Sequence, residues 1–176
     1  NKSVFSIANN QFFEDNVTAN QFKVHTISVP AGLYKLNVTL CWTDKEGSPI
    51  ASKSIVNNLD LKIVTPTGDT ILPWKLNPSS YKTAAVKGID NLNTNEQVTI
   101  DNPVDGSYKI VVKGTSVPFG PQNYAATYFL QKREIELTHP NGGEILDAGT
   151  GYAMRWNANG FDSLAKIELS TDNGAT

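Results

Sequence analysis

Strict alternation of apolar and polar side chains is the feature that most constrains this chain. Tyr34, Leu36, Val38, Leu40 and Trp42 share one parity, and Lys35, Asn37, Thr39 and Cys41 share the other. Successive side chains of a strand point to opposite faces, so this run predicts a half-buried β-strand. The same period over 22–29, 59–65, 97–101, 108–113 and 123–130 predicts further strands. Between them stand turns with a physical cause: Pro30-Ala31-Gly32, Pro66-Thr67-Gly68-Asp69 and Pro103-Val104-Asp105-Gly106. In each, Pro presets φ and Gly supplies positive φ. No stretch of 12 residues combines helical apolar spacing with caps, so the predicted class is all-β, a jelly-roll or β-sandwich domain in preference to a barrel.

Composition supports that class and excludes several functions. The 176 residues carry 18 Asn and 16 Thr, which favour turns and strands over helix interiors. A formal net charge of −2, with no dense Lys/Arg face, argues against nucleic acid as a partner, which calls for concentrated positive charge. No apolar run reaches the length of a membrane-spanning helix. The single cysteine, Cys41, lies between Leu40 and Trp42 and reads as a core residue; one thiol builds neither a disulfide nor a zinc site.

The polar stretch Gln131-Lys132-Arg133-Glu134 predicts a boundary, with a sandwich domain over 1–132 and a second unit over 133–176. Strands are expected at 152–156 and 165–170 of the second unit. A segment this short does not close a sandwich of its own, so it reads as the truncated start of an immunoglobulin-like β domain. The absence of an initial Met and the ending Asp172-Asn173-Gly174-Ala175-Thr176 read as cuts from a longer polypeptide.

Three loops are rich in oxygen ligands: Thr43-Asp44, Asn57-Asn58-Leu59-Asp60, and the run from Asp90 to Glu96 that closes a long aperiodic loop starting at Pro73. Antiparallel neighbours would bring all three to one end of the sandwich. Such a cluster suits Ca²⁺, a hard cation that takes about 6–8 oxygen ligands, and an ion would tie down the long loop. Turn formation through Asn and Asp side chains accounts for the same residues without an ion.

Nucleophilic catalysis finds no support. His25 alternates within a strand and His139 precedes Pro140, and neither has the setting of a Ser-His-Asp site, so both read as surface or edge-strand histidines. Trp74 and Tyr81 could form a sugar-stacking platform, although Trp74 also suits a lid over the sandwich edge. Asn1-Lys2-Ser3, Asn16-Val17-Thr18 and Asn37-Val38-Thr39 are formal glycosylation sequons, unsurprising in an Asn-rich chain.

Several motifs occur in order over residues 1–132: Leu40-Cys41-Trp42-Thr43-Asp44, Ala51 through Leu61, Leu72-Pro73-Trp74, Asn93-Thr94-Asn95-Glu96-Gln97-Val98, Gly106-Ser107-Tyr108 and Val117-Pro118-Phe119-Gly120-Pro121-Gln122. As a set they resemble the C-terminal β-sandwich, a P-domain-like jelly roll, of secreted bacterial subtilisin-like serine proteases. The resemblance implies a non-catalytic accessory module that stabilises the catalytic domain of the same polypeptide and meets protein substrate, in a secreted or cell-surface setting. It also implies calcium, with Asp44, Asp60, Asp90, Asn93 and Glu96 as ligands. Asn58 stands where the family commonly has Asp, which removes one carboxylate. The family's catalytic Asp and His motifs do not occur, and Gly114-Thr115-Ser116-Val117-Pro118 only superficially resembles the nucleophile motif, so the fragment itself is expected not to be an enzyme. A carbohydrate-binding or cell-surface adhesion module is the alternative, because jelly rolls host such sites. Residues 140–174 resemble the opening of an immunoglobulin-like repeat.

Overall fold

The computed structural model describes residues 11–80, 82–161, 166–168 and 170. Tyr81, the Asn1-Lys2-Ser3 sequon and residues 171–176 lie outside them, as does part of the strand expected at 165–170. Among the described residues the regular elements are all strands. They run β1 (Phe12–Val17), β2 (Phe22–Val29), β3 (Leu33–Cys41), β4 (Asn58–Val64), β5 (Thr70–Ile71), β6 (Trp74–Lys75), β7 (Val86–Lys87), β8 (Asn95–Asp101), β9 (Gly106–Ser116), β10 (Gln122–Lys132), β11 (Glu134–His139) and β12 (Arg155–Asn159).

The chain divides into two compact units, Asn1–Lys132 and Arg133–Thr176. In the first, one sheet has the order β1-β10-β3-β8 and the other β2-β9-β4-β5, every pairing antiparallel. Setting aside the small β6–β7 hairpin, the chain alternates between sheets except at β4 and β5, which pair within one sheet, and this is the order of a jelly roll, a sandwich of two Greek keys. The core comes from one parity of each strand: Leu36, Val38 and Leu40 of β3 meet Leu59, Leu61 and Ile63 of β4 and Tyr108, Ile110 and Val112 of β9. Burial of these branched and aromatic side chains is the principal stabilisation of the sandwich.

Cys41 departs from expectation. It is exposed, because the alternation that buries Leu40 and Trp42 turns Cys41 to the outer face. The expected boundary stretch is likewise strand at both ends, β10 running through Lys132 and β11 starting at Glu134. In the second unit β11 pairs with β12, which lies at Arg155–Asn159 and not at 152–156, and residues 166–168 are not in a strand.

At Gly114 the lack of a side chain lets two backbone segments of the first unit meet. The turn after β1 lies across β9, with the Asn20 amide donating to the Gly114 carbonyl at 2.7 Å and the Gly114 amide donating to the Gln21 carbonyl at 3.0 Å. A Cβ on Gly114 would collide with the Thr18 carbonyl oxygen, which is backbone and cannot swing aside. Gly114→Ala is therefore expected to cost about 1–3 kcal/mol or more of unfolding free energy, read by urea denaturation; an unchanged midpoint would contradict the close approach.

Candidate functional site

The three polar loops do meet, and hydrogen bonds join them. Asp44 accepts from the amides of Val56 at 2.6 Å and Asn57 at 2.9 Å, which binds the first loop to the second. The Trp42 amide donates to the Thr94 carbonyl, and Asn58 Nδ2 donates to Asn91 Oδ1 at 2.9 Å, which binds both to the third. At the centre lies Asn57, only 1% exposed. Its Nδ2 donates to Gln122 Oε1 and the Phe119 carbonyl, its Oδ1 accepts from the Phe119 amide, and its carbonyl accepts from the Trp42 indole. A buried amide with this many partners fixes loop geometry, since each lost bond would leave a desolvated group behind.

This network divides the predicted calcium ligands. Both oxygens of Asp44 are taken by backbone amides, and the buried Asp90 accepts from the Leu92 amide and from Asn93 Nδ2. Asn93 thus serves Asp90. Among the described residues no three His, Cys, Asp or Glu side chains gather in a metal-holding group. Asp44, Asp90 and Asn93 are thus engaged in hydrogen bonds within the protein. The long loop from Pro73 is tied by the protein's own bonds, through the β6–β7 hairpin and the Gly88 amide to the Pro73 carbonyl.

What the structure does bring together is Asp60 and Glu96, from opposite sheets. Glu96 projects from edge strand β8 and is 2% exposed; its Oε2 accepts from the Leu61 amide of β4 at 2.6 Å. Asp60 Oδ2 accepts from the Thr115 hydroxyl. The remaining oxygens, Asp60 Oδ1 and Glu96 Oε1, are buried without a hydrogen-bond partner, as is Asn58 Oδ1. Burial pushes the Glu96 carboxyl up to about 8, with the charges of Asp60 and Asp90 adding to the rise and the Leu61 amide opposing it.

Both carboxylates line a cavity of about 320 Å³ whose other walls include Leu61, Leu72, Pro73 and Ile89. Phe22, Lys62, Thr70 and Lys113 complete it, and both ammonium groups lie over the Phe22 ring, at 6.0 and 5.7 Å from its centroid. The alternation of β2 carried a signal for this face, since Phe22 and Val24 have the outward parity opposite to the buried Ile27 and Val29. Nothing local marked Lys62 and Lys113, which the β4–β9 register brings to the same outer surface.

The remaining candidates have structural roles. Trp74 Nε1 donates to Thr99 Oγ1 of β8 at 2.7 Å and Lys87 Nζ lies 3.9 Å from the ring centroid, so this half-exposed indole covers a sheet edge. His25 is on the inward face of edge strand β2, stacked on Phe13, with Nε2 2.8 Å from the Tyr124 hydroxyl; burial lowers its pKa. It pairs with Ile110 on β9, six residues from Ser116, or roughly 20 Å along the strand. No Ser-His pair forms there. His139 belongs to the second unit, near Glu144.

No protein-family model matches the chain. The proteins it is similar to include two of Dictyostelium discoideum. One is the serine protease/ABC transporter B family protein tagA, 31% identical over 159 residues, covering 80% of this chain and 9% of that protein. The other is the family protein tagB, 33% identical over 95 residues, covering 53% of this chain and 5% of that protein. The chain thus spans less than a tenth of the length of these curated relatives. Among solved structures, the pre-peptidase C-terminal domain of a Bacillus anthracis collagenase superposes with a TM-score of 0.37 at 12% identity, covering 67% of this chain and 87% of that one.

The Glu96 shift has a consequence for stability. Below its ordinary value of 4.5 the carboxyl is protonated in both folded and unfolded chains; between 4.5 and about 8 only the folded chain keeps the proton. Stability therefore falls as pH rises through that window, by on the order of 4 kcal/mol from this group. Melting curves from pH 5 to pH 8 are expected to show Tm declining in the wild type, and declining much less in Glu96→Gln, which retains an acceptor for Leu61. Parallel curves would contradict the assignment.

Proposed function

We propose that this chain is a non-catalytic accessory module of a serine protease, whose sandwich packs on the catalytic domain of the same polypeptide and stabilises it. The observation that carries this reading is the similarity along 80% of the chain to a protein named as a serine protease/ABC transporter B family protein, in a segment that makes up 9% of that protein. The finer assignment, to the P-domain-like jelly roll of exported subtilisin-like enzymes of bacteria, rests on the ordered motifs between Leu40 and Gln122, as does a second unit that opens an immunoglobulin-like domain. Calcium also comes from that resemblance alone.

Stabilisation by a contact made only in the native state follows from mass action. Deleting residues 1–132 from the intact parent protease is expected to lower the yield of folded enzyme, or its Tm, several-fold or by several degrees. A deleted form that folds, survives heating and cleaves casein as the parent does would overturn the accessory role.

A further inference from the structure

We propose that the cavity bounded by Asp60 and Glu96 is a binding pocket for the side chain of a lysine or arginine on a partner polypeptide. Asp60 and Glu96 both line it, and each keeps one oxygen, Asp60 Oδ1 and Glu96 Oε1, that is buried and has no hydrogen-bond partner in the protein; Glu96 itself is 2% exposed. Once ionised, buried carboxylates call for a cation or for donors, and an ammonium or guanidinium group supplies both.

The rest of the cavity selects among cations. Calcium would need about six to eight oxygens, whereas Leu61, Leu72, Pro73 and Ile89 present a largely apolar wall that fits the methylene stem of a long basic side chain. With about 320 Å³, the space suits one such side chain. Lys62 and Lys113 at the Phe22 side of the pocket disfavour a second positive charge, which argues against a free diamine. The same two ammonium groups favour acidic residues beside the bound one, so the matching segment is a basic residue flanked by Asp or Glu. The inference does not depend on the protease assignment, and the deletion experiment above can succeed or fail independently of it.

The test is titration of the 176-residue chain with Ac-Asp-Lys-Asp-NH₂, following the Leu61 amide resonance, alongside Ac-Asp-Gln-Asp-NH₂, 1,5-diaminopentane and calcium chloride. The lysine peptide is expected to shift that resonance at least tenfold more tightly than the glutamine peptide or the diamine, and Asp60→Asn and Glu96→Gln to weaken it at least tenfold. No binding of the lysine peptide at millimolar concentration, or equal binding of the glutamine peptide, would overturn the proposal. So would a diamine that binds as well as the peptide, which assigns the pocket to a free polyamine. Calcium chloride that saturates the same resonance, with a Tm lowered by EGTA, would assign it to a metal instead. Where a variant fails to fold, the lysine-to-glutamine exchange in the peptide decides on the wild-type chain alone.

Discussion

A single side-chain carboxyl crosses between the two sheets where β4 outruns its neighbour β5. Strand β5 pairs only with Ile63 and Val64, so the Leu61 amide of β4 lies beyond its reach. Glu96, on the edge strand of the opposite sheet, accepts that amide. An unsatisfied buried amide would cost about 1–3 kcal/mol, and supplying the acceptor from the other sheet fixes the two layers relative to each other. The cost moves to the carboxylate, which is withdrawn from water with one oxygen unpartnered. The candidate site and the pH dependence of stability both follow from that exchange.

Around this bridge the polar end of the sandwich is built for rigidity. Asn57 and Asp44 bind the loops through backbone groups, and Asn58 and Asn91 join the long return loop. Side chains that look like ion ligands in the sequence are here the acceptors that backbone amides need. This division leaves Asp60 and Glu96, which line one cavity, each with a buried oxygen that has no partner within the protein.

The fold was legible because a strand's period of two maps directly onto burial: Leu36, Val38 and Leu40 are all buried, as the alternation of β3 requires. The meeting of the three loops was also legible from antiparallel order. What remained hidden depends on which oxygen faces which donor. Asp44 and Glu96 are both acidic residues beside strand ends, yet one has every oxygen engaged by backbone and the other has one to spare. Cys41 shows the opposite failure, where a general tendency of cysteine to be buried was set above the parity of its own strand. Lys62 and Lys113 lie far apart in sequence and become neighbours of one ring only through the register of β4 and β9.

The most direct test of the account is the titration of the Glu96 carboxyl itself, followed by carbon-detected NMR of the side-chain carboxyl in the free chain. The account predicts a midpoint near 8, the mark of a buried carboxylate with no cation beside it. A midpoint in the ordinary carboxylate range, near 4.5, would show that Glu96 is solvated or already paired, and would remove the physical ground for a cation-binding pocket.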